Sequence, residues 1–360
     1  MALPSSPRLR FRHVLLAAAL LAAAPLPARA GSDYSNHDFS VRFAAGFIRF
    51  TEVSTMGGES AANRYSSAIN PAAAGWLSLP GKLGIVAAPY YSHICFGEGT
   101  DIRVSGEALV WDSRQWGTFR PVLAQIRSND ETLRNGMKFG YTTDTGELTW
   151  AKRFGNCAFG ANFNFAEAET TMSGRFSTMG LTTRVHTEGE AESYRFRFGG
   201  LWEPAEKWLI GSVFEYGFQP FRSRTVTRTA IPQPPMTLTS TMSDEGTQQQ
   251  FIFRPAVSYE YAPMSCVYAD YQYGAFFNKY DELHAHHFTV GVDHRLLECL
   301  MGRTSVTFDA KGNVGFAVGT TLFVSEWCSI DFAYQYDMLP ELRPDFGRSH
   351  TLQGTIALRF

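Results

Sequence analysis

The chain has 360 residues, of which 44% are hydrophobic, 14% aromatic (29 Phe and 15 Tyr among them) and only 18% charged. A formal net charge of −2 argues against a nucleic-acid binder, whose affinity comes largely from neutralising phosphates. Past residue 30 no apolar stretch reaches the ~20 residues that a membrane-spanning helix needs, which leaves a soluble protein or a membrane β-barrel.

The first element is an export signal, expected over residues 1–30. Arg8, Arg10 and Arg12 form a basic start, Val14 to Leu26 is an apolar run, and Ala28-Arg29-Ala30 is a small-x-small cleavage site. Cleavage would remove four arginines and no acid, moving the formal charge from −2 to −6. Residues 31–80 hold one apolar segment (Phe39–Phe50) and a small, polar stretch from Ser54 to Ala74. This segment is expected to fold into a lumen as a plug, with an extra strand or a periplasmic tail as the alternatives.

Through the mature region the dominant signal is period-two alternation, strongest from residue 81 to 360, and no comparably long amphipathic helix is expected. Tyr194, Phe196, Phe198 and Trp202 oppose Arg195 and Arg197, and Phe251, Phe253, Val257 and Tyr259 oppose Arg254, Ser258 and Glu260. The last ten residues end in the same way. Leu352, Ile356, Leu358 and Phe360 share one parity, while Thr351, Gln353, Thr355 and Arg359 share the other. Strands with one apolar and one polar face suit a barrel whose exterior meets lipid and whose interior is polar.

The spacing predicts about fourteen strands, at 81–94, 101–112, 116–127, 136–152, 157–169, 190–202, 207–222, 248–262, 265–279, 284–297, 302–310, 313–325, 327–337 and 349–360. Twelve or sixteen are left open by the uncertain stretch 100–150, where Arg120/Val122/Ala124/Ile126 and Phe119/Pro121/Leu123 compete for the lipid face. Short turns at Phe154–Asn156, Glu203–Lys207, Ala262–Ser265 and Ser325–Trp327 alternate with long polar loops at Thr170–Glu188, Thr229–Thr247 and Met338–Arg348. That rhythm fits short periplasmic turns and longer extracellular loops. The expected fold class is therefore all-β: a transmembrane antiparallel barrel of about fourteen strands preceded by a luminal hatch.

The expected lumen-facing polar set is Arg195, Arg197, Glu215, Arg254, Glu260, Asp270, Asp293 and Arg295, joined by Asp331 and Arg359. Its mixed signs favour internal ion-pair networks over an ion-selective pore. His284 and His286 share a strand face while His287 points away, and no carboxylate pattern completes a metal site. Cys95, Cys157, Cys266, Cys299 and Cys328 show no Cys-x-x-Cys spacing, and no disulfide is expected among them. Ser349-His350 is the nearest Ser/His pair, but adjacent strand residues face opposite ways. The reading is a non-enzyme without cofactor or metal.

The stretch from Ala61 to Leu77, with Asn70-Pro71-Ala72 at its centre, resembles the hatch of the long-chain fatty acid transporter (FadL/TodX-type) family of outer-membrane proteins. PorV-type secretion-associated barrels carry a related Asn-Pro-Ala stretch. The resemblance implies that Asn70, Pro71 and Ala72 lie in a hatch, and that hydrophobic small molecules, fatty acid-like or aromatic, diffuse passively through the barrel. It also implies an apolar capture groove in the third and fourth extracellular loops, here Phe176, Met179, Leu181, Ile231, Met236 and Leu238. A structural or secretion-associated barrel and a general porin are the other readings. Expected partners are membrane lipid and lipopolysaccharide, the hydrophobic substrate, and the barrel assembly machinery through the strand ending at Phe360, with no nucleic acid.

Overall fold

The structure, a computed structural model, describes residues 34–53, 60–77, 84–97, 99, 101–113, 115–133, 136–178, 181–231 and 235–360. The expected signal segment 1–30 lies outside them. Fourteen antiparallel strands run in chain order around a closed barrel, and β1 (Ile85–Phe96) pairs with β14 (Ser349–Arg359) through Val86↔Arg359 to Phe96↔Ser349. Between them lie β2 (Asp101–Asp112), β3 (Thr118–Thr132), β4 (Lys138–Phe154), β5 (Cys157–Thr178), β6 (Leu181–Ala205), β7 (Trp208–Ile231) and β8 (Met236–Ala262). The circuit is completed by β9 (Ser265–Phe277), β10 (Glu282–Leu297), β11 (Leu300–Asp309), β12 (Val314–Ser325) and β13 (Cys328–Tyr336). Closure removes every sheet edge within the lipid, the requirement a strand must meet where no water can satisfy its backbone.

The alternation read from sequence sorts onto the two faces. In β14, Leu352 is 60% exposed and Thr351 1%. The competition in β3 is settled the same way, because Leu123 is exposed outward while Arg120, Val122, Ala124 and Ile126 are buried. Arg120 faces the lumen because Glu147 waits there, 2.7 Å away. Trp111, Trp116, Trp150, Trp202, Trp208 and Trp327 are all exposed near the turn end that carries the two-residue connections. This is the aromatic girdle of the periplasmic interface.

Each of four prolines interrupts the ladder on one side. Register pairs are missing at Pro89 between β1 and β14, at Pro121 between β2 and β3, at Pro220 between β6 and β7, and at Pro255 between β8 and β9. Proline has no N–H to give, so one neighbour must lose its partner.

Three expectations are corrected. Thr170–Glu188 and Thr229–Thr247 are strands rather than loops. β5 and β6 stay in register from Cys157↔Trp202 up to Thr178↔Leu181, and β7 and β8 from Trp208↔Tyr259 up to Ile231↔Met236. Their Thr-rich, β-branched sequence suits a pleated surface, so the hairpins continue well above the lipid. Second, Phe39–Val53 forms a 15-residue helix, α1. Asp38 caps it, its Oδ1 accepting the Ser40 N–H at 2.8 Å, and Phe39 and Phe43 stack one turn apart with centroids 5.6 Å from each other. Third, the last loop is not a polar surface loop. A 3-10 turn (Pro340–Leu342) and a short helical turn, α2 (Arg343–Phe346), fold inward and bury Leu339, Leu342 and Phe346.

Candidate functional site

Residues 60–77 lie against the lumen face of β3–β10, towards the periplasmic end. Asn70 caps a 3-10 turn (Pro71–Trp76) by accepting the Ala72 N–H at 3.0 Å, and its amide nitrogen donates to Ala61 O at 2.7 Å and Gly200 O at 3.0 Å. The fit depends on bare backbone in the wall. A methyl group at Gly199 would overlap the Asn70 amide oxygen, one at Gly160 the Pro71 carbonyl carbon, and one at Gly211 the Ala61 carbonyl.

Buried charges fasten the same segment. Arg197 donates to Glu215 at 2.6 Å and to Ala68 O at 2.5 Å, while Gln250 donates to the other Glu215 oxygen at 2.9 Å. Asp270 accepts from Arg254 Nε and from the Ala61 N–H, both at 2.9 Å, and from the Ser60 hydroxyl. Asp293 accepts from Asn63 at 2.8 Å and faces Arg303 at 3.7 Å. Such pairs are held by mutual hydrogen bonding because a lone buried charge would be prohibitive. Arg195, Arg197, Glu215, Arg254, Asp270 and Asp293 are thus buried together in the lumen. Two other nominated residues sit at the rim: Glu260 lies 3.5 Å from Arg64, and Arg295 donates to Glu298 O at 2.9 Å.

The upper lumen is different in kind. Phe39 and Phe43 of α1 pack on Phe139, and Phe346 closes the cluster, with ring centroids between 5.4 and 6.1 Å. Beside this cluster is a cavity of about 400 Å³, lined by Phe39, Phe43, Phe139, Tyr141, Met172 and Phe221, with Ser193, Gln219 and Gln248 as its neutral polar groups. Asp38, Glu190, Arg222 and Asp244 are its charged residues. A cleft of about 1040 Å³ shares Ala168, Glu190, Ala191, Phe221 and Arg222 with it, at the height where Pro220 breaks the β6–β7 ladder.

α1 is tied down at both sides of the barrel. Arg42 holds Asp345 on the inward-folded last loop at 2.8 Å, and the Asp38 N–H donates to Asp281 in the β9–β10 loop at 2.6 Å. On the same loop Glu341 meets the buried His287 of β10 at 2.7 Å. Burial pushes the Asp345 carboxyl above its ordinary value, and Arg42 opposes that shift.

None of Phe176, Leu181, Ile231, Met236 and Leu238 lines the cavity. They share the inward-facing side of the two long hairpins above it, and Met179 lies outside the described residues. The cavity's own residues were passed over because Phe139 and Tyr141 occupy lumen positions where a polar residue is the norm. The i, i+4 pair Phe39/Phe43 was the available signal for the helix above them.

His284 and His286 face outward, each accepting or donating at Nδ1 with a tyrosine hydroxyl, Tyr273 and Tyr271, at 2.8 Å. No group of three or more metal-ligating side chains occurs among the described residues. The five cysteines are unpaired with one another. Ser349 is buried while its neighbour His350 is exposed, so the two face opposite ways.

No family model matches the chain, and no curated protein matches it. Solved structures do match in shape. The CymD monoaromatic hydrocarbon channel aligns with a TM-score of 0.60 at 10% identity, covering 87% of this chain and 97% of the channel. A Pseudomonas aeruginosa FadL homologue gives 0.59 at 12%, covering 86% and 98%, and the Ralstonia pickettii toluene transporter TbuX gives 0.58 at 12% with the same coverages. These neighbours are transport channels rather than enzymes. At such identities the likeness is one of fold, and the fold is that of a Gram-negative outer-membrane barrel of the FadL/TodX type.

Proposed function

We propose that the protein passes hydrophobic small molecules across the outer membrane, with residues 60–77 acting as the hatch that plugs the lower lumen. The observation carrying this reading is the aromatic cavity of about 400 Å³ in the upper lumen, set above an interior filled by ion pairs. A general porin would need a continuous water-filled path, which Arg197–Glu215 and Arg254–Asp270 oppose. A purely structural barrel has no use for an enclosed apolar space. The alternative of a barrel that only binds envelope partners is therefore less well supported.

In this reading a solute first meets Phe176, Leu181, Ile231, Met236 and Leu238 on the inward face of the hairpins, then enters the cavity beneath α1. Burial of its apolar surface drives the transfer at ~25 cal/mol per Å². The break in the β6–β7 ladder at Pro220 is where a sideways outlet that spares the hatch would open, and movement in this reading is passive diffusion down the solute's gradient. The aromatic lining suits aromatic hydrocarbons, and Arg222 in the cavity wall is a cation that a fatty acid carboxylate would meet. Assembly into the membrane would use the closing strand, whose terminal Phe360 exchanges backbone hydrogen bonds with Ile85 at 2.8 and 3.4 Å.

The test fills the cavity. Ala168→Trp would place an indole among Phe39, Phe139 and Tyr141. Uptake of toluene and of a long-chain fatty acid into proteoliposomes would be measured against wild type, with heat-modified gel mobility as the control for folding. Transport is expected to fall at least tenfold with the barrel intact. Unchanged uptake of both solutes would remove the cavity from the path, and no uptake by wild type would leave the partner-binding reading standing.

A further inference from the structure

Above the lipid, the hairpins β5–β6 and β7–β8 form a four-stranded blade whose outward face has an unusual charge pattern. Arg175 on β5 lies directly opposite Arg184 on β6, and Arg184 directly opposite Arg228 on β7. Directly opposed residues have Cα atoms only ~4.5–5.5 Å apart, and like charges so placed repel. No acid relieves them. The flanking positions on the same face are Ser173 and Ser177, Thr182 and His186, Val226 and Ala230, and the next strand offers Thr237, Thr239 and Thr241. Lower on the same face Glu188 lies directly opposite Arg224 and 3.2 Å from His186, so the arginines without a facing acid are Arg175, Arg184 and Arg228. All four arginines are exposed. A row of this kind is stable when an external anion lies across it, and guanidinium forks match phosphate geometry.

The position of the row selects the source of that anion. Its side chains share the parity of Phe196, Phe198, Phe214 and Tyr216 lower on the same strands, the face that meets lipid, and not the face lining the mouth. Arg184 is ten residues above Tyr194, whose ring stacks on Phe218 at the upper aromatic girdle. Ten residues span roughly 33 Å of strand, or about 23 Å along the membrane normal at a ~45° tilt. Phospholipid headgroups occupy only roughly 5–8 Å beyond the hydrocarbon. They end far below the row. We infer that Arg175, Arg184 and Arg228 dock the phosphorylated sugar core of an outer-leaflet glycolipid standing against the barrel wall.

The experiment uses the full refolded barrel, as wild type and as the triple variant Arg175→Gln/Arg184→Gln/Arg228→Gln, with a triple Arg→Lys variant beside it. Heat-modified mobility confirms that each is folded. Binding is measured for lipopolysaccharide with a phosphorylated core, for lipid A without a core, and for inorganic polyphosphate. Wild type is expected to hold the core-bearing glycolipid at least tenfold more tightly than lipid A, with a steep loss in salt. The glutamine variant should abolish that preference and the lysine variant keep part of it. A preference that survives in the glutamine variant, or its absence in wild type, would overturn the assignment. Polyphosphate bound as tightly as the core glycolipid would overturn the lipid source, marking the row as a site for soluble polyanions.

Discussion

Arg42 on α1 grips Asp345 on the last extracellular loop with two nitrogens, Nε to Oδ2 at 3.1 Å and Nη2 to Oδ1 at 2.8 Å, across 303 residues of sequence. The fork joins α1 to the last loop, and α1 roofs the aromatic cavity with Phe39, Ser40, Phe43 and Ala44.

Arg42→Ala should leave the partly buried Asp345 carboxylate without its cation, at a cost of roughly 1–3 kcal/mol to docking of the loop. Asp345 has a raised folded pKa, so its contribution is fully present below the unfolded value near ~4 and lost as pH rises through the folded one. Removing Arg42 should therefore loosen residues 337–348 more at pH 7 than at pH 4. Hydrogen exchange of that loop at the two pH values checks this, and equal loosening would show that the charge pair is not what holds the loop.

Asp281 behaves in the opposite sense. Burial pushes its carboxyl up, but the backbone N–H groups of Asp38 and Glu282 and the ring of His37 outweigh that and hold it below the ordinary aspartate range. A depressed folded pKa means stability present above ~pH 4 and lost as pH falls through the folded value. The start of α1 should stay protected at pH 5 and begin exchanging faster below pH 4, while Asp281→Asn removes the dependence.

Asn70→Ala takes away three hydrogen bonds at once, those with the Ala72 N–H and with the Ala61 and Gly200 carbonyls. The expected cost is roughly 2–4 kcal/mol to the seating of residues 60–77. Limited proteolysis of residues 60–77, with the barrel's heat-modified mobility unchanged, is the measurement.

Gly160→Ala and Gly211→Ala press a methyl group into the backbone of residues 61–72 instead of into a side chain that can move. Overpacking of this kind costs roughly 1–3 kcal/mol. Both variants should displace residues 60–77 as Asn70→Ala does, although no hydrogen-bonding side chain has been touched. If they leave protection of residues 60–77 at wild-type level, the close approach of backbone to wall is not needed to seat that segment.

Gly46→Ala tests the roof. Its added carbon would lie 2.6 Å from Leu342 Cγ, forcing α1 and the inward-folded loop apart. Faster exchange in residues 339–346 is expected, together with easier entry of hydrophobic solutes.

Some of this was legible from residues alone. Leu352 and Ile356 against Thr351 and Gln353 carry their inside–outside assignment in their spacing, because a strand's side-chain period is fixed at two. The same holds for the arginines and acids of the lumen, which needed only the parity of Tyr194–Trp202 and its neighbours. Where parity gave two answers, as in β3, the partner of Arg120 decided, and Glu147 is on another strand. The hairpins were misjudged as loops because Thr-rich polar segments look like surface connections until their cross-strand partners are known.

The sequence by itself determined an all-β barrel of about fourteen two-faced strands and, outside β3, its lipid face, because side-chain period is local, while the segment around Asn70-Pro71-Ala72 stood out by its resemblance to the FadL/TodX-type family. Only the tertiary structure decided that Phe39, Phe43, Phe139 and Phe346 meet, that Asn70 finds Gly199 and Gly200, and that Arg175, Arg184 and Arg228 fall in one row. Each of those depends on which strand lies beside which and in what register, and barrel closure sets that through pairings spread over the whole chain.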